Sequence, residues 1–244
     1  AVSDEGQPAT VIDGAGLVRL LEFESNPSNL ASIENIIFRN GVGAPTEFDG
    51  ETLGGASIVW AAKVDFVNCR FEQNEAEYGG AVYVRQDSEV RFINCEFRSN
   101  MASNTGGAIR VHESDVALEW STLAGNSAVV RGGGVACFGI GITRVANCLV
   151  SSCFSSYGGA FFGTSTTLVL EEIEVFKNSA DYGGAAFLSD SSAVSVRDVK
   201  FEGNFAKFDG GGFSLRSDSH LSVVDSDFVR STAGRYGGAI ENRS

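Results

Sequence analysis

The stretch FEQNEAEYGGAV, from Phe71 to Val82, contains the motif that decides the fold. Phe71 is followed three positions later by Asn74, and a Gly-Gly pair begins at Gly79. Such pairs recur at intervals of 25 to 27 residues, beginning at Gly54, Gly79, Gly106, Gly132, Gly158, Gly183, Gly210 and Gly237. A constant period of this length is typical of repeat proteins, in which each period is one structural unit.

A second landmark keeps the same phase as the glycines. In each unit an apolar residue precedes a small polar residue, usually Asn, by three positions. The pairs are Phe71/Asn74, Phe97/Asn100, Leu123/Asn126, Val150/Cys153, Val175/Asn178, Phe201/Asn204 and Phe228/Ser231. Because two independent landmarks stay in phase through seven units, the repeat is a property of the fold and not of chance composition.

The residues between the landmarks alternate between apolar and polar. In the best-preserved unit the extended segments are Gly79–Val84, Val90–Phe92 and Cys95–Phe97. Three short strands in 26 residues leave no room for a ten-residue helix, and frequent interior glycines disfavour helical repeats. The sequence therefore predicts an all-β fold: a single right-handed parallel β-helix of about nine coils of 25–27 residues, with three short strands per coil. At about 4.8 Å per coil, the rod would be roughly 40 Å long.

We expect one β-helix domain over residues 1–244. Residues 1–53 fit the period loosely and contain an expanded corner at 41–53, whereas residues 54–244 form regular coils. The last unit, Gly237–Ser244, stops part-way round a coil. Unpaired strand edges invite pairing, so we expect a longer parent chain or end-to-end stacking, with self-association of this segment.

Stacked coils place equivalent residues in columns. We expect Phe71 to stack on Phe97, but Phe201 not to stack on Phe228. The Asn residues should form a hydrogen-bonded column at an inside corner. The Gly-Gly corner requires either positive φ or a backbone approach too close for a Cβ atom.

The five cysteines are Cys69, Cys95, Cys137, Cys148 and Cys153. No CxxC pattern occurs, so the sequence does not indicate a zinc site. Cys69, Cys95 and Cys148 share one column position. Parallel inward side chains favour free, buried thiols that act as small apolar residues, with a disulfide as the alternative.

Composition and charge exclude several classes of partner. The net charge is −13, which argues against nucleic acid and anionic membranes, because both are bound through clustered Lys and Arg. No run of 18 apolar residues is present, so we expect no direct membrane insertion.

Candidate catalytic groups are sparse. Asp198 and Asp225 lie 27 residues apart, in adjacent coils of one column, with Asp227 and Arg197 nearby. Stacked carboxylates can hold a cation, but solvated turn positions explain them better. His112 and His220 are about four coils apart and interpreted as isolated surface residues. We therefore predict no catalytic residue, metal ligand or cofactor site.

One surface column stands out beside the glycines. The residue before each Gly-Gly pair is Tyr at four positions: Tyr78, Tyr157, Tyr182 and Tyr236. Next to bare glycine backbone, these rings are a possible flat contact surface for a sugar or a partner protein. The alternative is that each ring only covers the glycines of its own corner.

The FxxN motif followed by GGA[IV] resembles the chlamydial polymorphic outer-membrane-protein repeat. The resemblance covers about residues 54–244, although Cys153 and Ser231 replace the Asn. The segment Thr10–Gly14, TVIDG, resembles a coil of the wider pectin-lyase-like superfamily. These resemblances imply a secreted or surface-exposed β-helical stalk, often the passenger of an autotransporter adhesin.

The functional expectation is a non-catalytic structural or adhesive module at the cell surface or outside the cell. Its partners would be other protein chains, in end-to-end or lateral assembly, or surface glycans. The alternative is a carbohydrate-active β-helix, a polysaccharide lyase or hydrolase, since enzymes of the resembling superfamily share this fold.

Overall fold

A computed structural model of the protein describes residues 10–45 and 50–243, and within these ranges no helix is present. Strands wind into about nine coils, and each strand pairs in parallel with its equivalent in the next coil. The predicted parallel β-helix is therefore confirmed. Consistent with this architecture, the described part of the chain has no helix that is long and apolar enough to cross a membrane.

Each regular coil contains four strand segments, one more than the sequence predicted. The first ladder follows the Gly-Gly pair and comprises Val82–Arg85, Ile109–His112, Val135–Phe138, Phe161–Thr164, Ala186–Ser189, Phe213–Arg216 and Ile240–Arg243. The second ladder comprises Glu89–Ile93, Asp115–Glu119, Ile142–Ala146, Thr167–Glu171, Ala193–Arg197 and His220–Val224.

The third ladder comprises Thr10–Asp13, Ile36–Arg39, Arg70–Glu72, Glu96–Arg98, Thr122–Ala124, Leu149–Ser151, Glu174–Phe176, Lys200–Glu202 and Asp227–Val229. The fourth comprises Ala44–Pro45, Thr52–Leu53, Glu75–Tyr78, Met101–Thr105, Ser127–Ala128, Phe154–Tyr157, Ser179–Tyr182, Phe205–Asp209 and Thr232–Ala233. This fourth ladder lies between the Asn and the Gly-Gly pair, in a segment too short and too polar to show a strand pattern.

The N-terminal coils differ in detail from the regular ones. Leu21–Glu34 and Ser57–Val67 each run through the first two ladders and join them into one 15-stranded sheet. In the expanded corner at 41–53, Ala44–Pro45 pairs antiparallel with Thr52–Leu53. Residues 46–49 of this predicted loop lie outside the described residues.

The core is a column of apolar side chains shared by all coils. Phe71 and Phe97 stack with ring centroids 4.7 Å apart, as predicted. The prediction for Phe201 and Phe228 is wrong, because these rings also stack at 4.7 Å. The extra residue of that coil is absorbed by a register shift against Phe205–Asp209, so Phe201 remains directly paired with Phe228.

The predicted Asn column is present. Asn74 donates from Nδ2 to Oδ1 of Asn100 at 3.0 Å, and Asn100 donates to Asn126 at 2.9 Å. The backbone N–H of each Asn also donates to the next Oδ1, and each Nδ2 bonds a core carbonyl oxygen such as that of Phe71. Cys153 interrupts this column, because its thiol replaces the amide.

All five cysteines are free and buried, as expected. Cys95, Ser121 and Cys148 occupy one column, at a corner of the coil. The backbone N–H of Ser121 donates to the Sγ of Cys148 at 3.3 Å. Burial raises the pKa of Cys148 to about 11 and that of Cys137 to about 12. These two thiols are therefore protonated at neutral pH and act as small packing groups.

The two glycines of each pair have different roles. The first has positive φ, with values from 51° at Gly54 to 71° at Gly106. The second is packed against backbone: a Cβ atom at Gly107 would lie 2.2 Å from the carbonyl oxygen of Gly133 in the next coil. Both requirements inferred from the sequence therefore hold, one for each glycine.

The Asn column yields a test with a matched pair of variants. Asn100→Ala removes the acceptor of the Asn74 amide and the donor to Phe71, and buried unpaired groups cost about 1–3 kcal/mol each. We expect its free energy of unfolding in urea to fall by about 2 kcal/mol or more. Cys153→Asn should complete the column and raise the unfolding midpoint. Equal midpoints for both variants and the wild type would show that the column does not stabilise the fold.

Candidate binding groove

The Gly-Gly turn folds the end of the fourth ladder towards the outer face of the first. Two buried clusters form there, separate from the core. One contains Ala136, Phe162 and Phe187, packed against Tyr157 and Tyr182 among others. The second comprises Leu53, Ile58, Trp60, Tyr78 and Tyr83. Outward side chains of the two ladders therefore bury one another in the angle between the ladders, which runs along the rod.

This Gly-Gly groove, as we call it, has three columns of residues in register from coil to coil. One wall is formed by Leu53, Tyr78, Thr105, Arg131, Tyr157, Tyr182, Asp209 and Tyr236. The floor is formed by Ile58, Tyr83, Arg110, Ala136, Phe162, Phe187, Ser214 and Glu241. The other wall is formed by Trp60, Arg85, His112, Phe138, Thr164, Ser189, Arg216 and Arg243.

The four predicted tyrosines share one wall of this groove. The surface differs from the flat platform expected, because the rings face the outer side of the first ladder. The fifth tyrosine of the chain, Tyr83, lies on the floor, so all five line the groove.

Aromatic rings fill the middle of the groove. Tyr157 stacks on Tyr182 with centroids 5.4 Å apart, and it meets Phe187 edge-on at 5.1 Å. Phe162 and Phe187 are parallel at 5.9 Å. Both tyrosines remain half-buried. The rings thus contact more than the glycines of their own corners, and partly exposed rings recur from coil to coil.

Six of the fourteen arginines lie in or beside the groove, each with its guanidinium over an aromatic ring. Arg110 is the most enclosed, with its Cζ 4.3 Å from the centre of the Tyr78 ring and 4.5 Å from that of Phe138. Its Nη1 donates to Thr105 Oγ1 at 2.6 Å. Arg85 lies 4.3 Å over Trp60. Cation–π contacts of this kind fix each cation in place.

At the C-terminal end of the groove, carboxylates compensate the arginines. The fully buried Asp209 places Oδ2 3.0 Å from Arg235, 3.6 Å from Arg216 and 3.8 Å from Arg243. Glu241 pairs with Arg216 and Arg243. These contacts join three arginines and two carboxylates in one network, although Oδ1 of Asp209 is buried without a hydrogen-bond partner.

The N-terminal half of the groove differs. Among the described residues, no carboxylate lies within ion-pair distance of Arg85, Arg110 or Arg131. Burial lowers the pKa of Arg110, and burial also lowers the pKa of His112. The pKa of Tyr78 is raised to about 12 by burial and by a hydrogen bond with Glu51. His112 is thus mostly neutral at pH 7 and the Tyr78 hydroxyl is protonated.

The other predicted residues lie elsewhere. Asp198 and Asp225 occupy one exposed column, as expected, with φ of 53° and 47° at the corner that Asn94 occupies in an earlier coil. His220 is exposed on the second ladder. His112, interpreted as an isolated surface residue, is half-buried in the groove. Within residues 10–45 and 50–243, no three His, Cys, Asp or Glu side chains are arranged to hold a metal ion.

Sequence reasoning missed the floor and the second wall of the groove. Their residues occur four and six positions after the first glycine of each pair, as with Arg110 and His112 after Gly106. This fixed offset from the glycine pair can be recognised in the sequence. Outward positions of a strand are ordinarily solvent-exposed, so the offset alone does not indicate a groove.

A second concave surface lies on the outer face of the second ladder, with a volume of about 490 Å³. Its charges pair with one another: Lys63 Nζ lies 2.6 Å from Glu89, and Arg91 lies 3.6 Å from Asp65. These charges therefore neutralise one another between coils.

Residues 54–228 match the family described as right handed beta helix region. This protein is a member of the right-handed β-helix family. No curated protein and no solved structure matches the chain. The family match establishes the hand of the coils, and the groove of this right-handed β-helix is the basis for functional inference.

The position of His112 predicts a pH dependence of stability. Its pKa is lowered in the folded state, so the unfolded chain takes up a proton first as the pH falls through about 6.5. The stability that neutral His112 contributes is therefore present above that pH and lost below it. We expect the unfolding midpoint of His112→Gln to fall less than that of the wild type between pH 7.5 and pH 5, in urea titrations.

His220→Gln is the matched control, because His220 is exposed. It should follow the wild type at both pH values. The same slope for all three proteins would show that His112 is not buried as described.

Proposed function

We propose that this right-handed β-helix is a non-catalytic adhesive module of a secreted or cell-surface protein, and that the Gly-Gly groove binds a carbohydrate chain. The observation that carries the proposal is the presence of Phe, Tyr or Trp side chains in six of the eight coils along one groove. Pyranose rings have apolar faces that stack on aromatic rings, while their hydroxyls bond polar side chains at the edge. A repeating site at about 4.8 Å per coil suits a repeating linear ligand.

The rigidity of the site supports binding. Tyr157, Tyr182 and Phe187 are held by mutual ring contacts on a continuous sheet, so little conformational entropy is lost when a ligand binds. The groove also runs along the rod instead of being enclosed by long loops. Both features favour an extended ligand over a small substrate held among catalytic groups.

The cellular location rests on the sequence resemblance. The FxxN and GGA[IV] repeats resemble those of chlamydial surface proteins, and the opening segment resembles the pectin-lyase-like superfamily. A rod with net charge −13 is soluble and self-repelling, which suits a surface stalk. We therefore propose surface glycans as the partners, with assembly between protein chains as the alternative.

One observation favours a second function, a carbohydrate-active enzyme. His112 Nδ1 is buried without a hydrogen-bond partner, and its lowered pKa keeps the imidazole neutral, as a general base requires. Arg85 lies beside it in the neighbouring coil. Release of unsaturated or reducing sugar ends, abolished by His112→Gln, would establish the enzyme and overturn a purely adhesive function.

The test of the adhesive function is a glycan array followed by calorimetric titration of the glycans retained. Tyr157→Ala and Tyr182→Ala each remove a ring of the central stack, and we expect affinity to fall about tenfold or more, as for aromatic hot spots. Phe154→Ala and Phe205→Ala are matched controls, because these rings are 54% and 48% exposed, in the same ladder but outside the groove.

Loss of binding in the tyrosine variants alone would support the groove. Equal losses in both sets, or binding unaffected by all four substitutions, would show that the groove is not the glycan site. Circular dichroism spectra and unfolding midpoints would confirm that each variant is folded.

A further inference from the structure

We infer that the outer face of the fourth ladder is a self-association surface, through which two copies of this chain pair side by side with their rods antiparallel. The fourth-ladder face, as we call it, contains none of the side chains that line the Gly-Gly groove. The inference therefore goes beyond the glycan-binding proposal and does not depend on it.

Large apolar side chains are exposed on this face in every second coil. The first outward position of each fourth-ladder strand is in register from coil to coil, and its residues are, in order, Glu75, Met101, Ser127, Phe154, Ser179, Phe205 and Thr232. Met101, Phe154 and Phe205 are each about half exposed. The serines between them are much smaller, so ridges and gaps alternate along the rod with a repeat of about 9.6 Å.

The centre of the fourth-ladder face carries no charge. The segments 122–130 and 149–157, in two successive coils, contain no Asp, Glu, Lys or Arg, although the chain has a net charge of −13. Val129 adds a further exposed apolar side chain beside Phe154. Exposed apolar patches on soluble proteins mark interaction sites. In an acidic protein, a neutral strip is also where two copies approach with the least electrostatic repulsion.

The alternation of ridges and gaps determines how a second copy fits. A two-fold axis parallel to the strands reverses the direction of the rod and keeps each column of residues opposite the same column of the other copy. With the axis midway between the coils of Ser127 and Phe154, Phe154 of each copy lies over Ser127 of the other. The same rotation places Met101 over Ser179. Each ridge then fills a gap, as close packing requires.

The same register pairs opposite charges at the two ends of the face. Glu77 and Lys207 each lie two residues after the first outward position of their strands, five coils apart. Within the described part of the chain, neither forms an ion pair. In the antiparallel pair, Glu77 of each copy faces Lys207 of the other. Ser103 faces Asp181 in the same way, which places a hydroxyl donor opposite a carboxylate acceptor.

The other symmetric register fits less well. With the axis through the coil of Phe154, this ring meets its own equivalent, and Met101 meets Phe205. Ser127 then lies opposite Ser179, so ridges hold the two faces apart and the gaps between them stay unfilled. The staggered register is therefore the one that fills the space between the two faces.

The size of the fourth-ladder face sets the strength of the dimer. Six coils extend about 29 Å along the rod, and the ladder is one short strand wide. Stable interfaces bury about 800 Å² on each partner, which a strip of this width does not reach. We therefore expect a reversible dimer with a dissociation constant of roughly 10–100 μM.

The experiment is sedimentation velocity of the whole 244-residue chain over about 5–500 μM, with charge-reversed variants. Glu77→Lys and Lys207→Glu each place like charges opposite one another in the dimer, and each should raise the dissociation constant about tenfold or more. The double variant restores both pairs with the charges exchanged, so its dissociation constant should return to within about threefold of the wild type. Because the two residues are about 24 Å apart in one chain, this rescue requires antiparallel contact between copies.

Non-specific repulsion between copies predicts a different result. Glu77→Lys makes the net charge of −13 less negative by two, whereas Lys207→Glu makes it more negative by two. Repulsion alone would therefore strengthen association of the first variant and weaken that of the second. Weaker association of both single variants, with recovery in the double variant, supports the specific pairing.

An apolar substitution tests the ridges separately from the charges. Phe154→Ser removes the central ridge and should raise the dissociation constant about tenfold. Ile142→Ser is the matched control, because Ile142 is similarly exposed but lies on the second ladder, and it should associate like the wild type. Circular dichroism spectra and unfolding midpoints would confirm that each variant is folded. A monomer at every concentration, association unchanged by Phe154→Ser, or a double charge variant no better than the single ones would overturn the inference.

Discussion

The structure depends on one close contact, that between the second glycine of each pair and the backbone of the next coil. At Gly80 and Gly107 a Cβ atom would lie 2.2 Å from the glycine carbonyl oxygen that follows in the stack. Only bare backbone fits, so the corner closes tightly in every coil. The tight corner brings the wall that contains Tyr78 next to the floor that contains Tyr83. The groove is therefore a consequence of the glycine repeat.

The groove in turn explains the distribution of arginine in an acidic protein. Outward positions of the first ladder are half-enclosed, which suits side chains that combine a planar face with a charge, as Arg110 does between Tyr78 and Phe138. Where carboxylates are also present, at Asp209 and Glu241, they form ion pairs with the arginines. Where the described residues include no such carboxylate, as at Arg85, Arg110 and Arg131, aromatic rings pack against the guanidinium groups. The repeat places equivalent residues in columns along the groove, and the residue types in each column change from one end of the rod to the other.

The fold could be predicted from the sequence because its landmarks are periodic. The glycine pairs, the Asn column and the Phe71–Phe97 stack all follow from the spacing. The fourth ladder was missed because strands such as Glu75–Tyr78 are short and polar. The stack of Phe201 on Phe228 was missed because the period alone does not show where an inserted residue is absorbed.

The candidate site was predicted only in part. The tyrosine column was found, since it lies directly before the glycines, but Arg110 and Phe162 were not. Whether these two residues lie in the groove depends on the angle at which the chain turns at the Gly-Gly corner. The spacing of residues in the sequence does not determine that angle. Residue spacing also does not show whether a half-buried ring such as Tyr182 packs against neighbouring rings or contacts a ligand.

The most direct test of the Gly-Gly groove as the binding surface is hydroxyl-radical footprinting with and without an oligosaccharide retained by the glycan array, read out by mass spectrometry at aromatic side chains. If the groove binds the glycan, oxidation of Tyr157, Tyr182 and Phe138 falls when the ligand is bound, while oxidation of the exposed Phe154 and Phe205 is unchanged. Protection of Phe154 and Phe205 instead, with the groove rings unaffected, would contradict the assignment of the Gly-Gly groove as the binding surface.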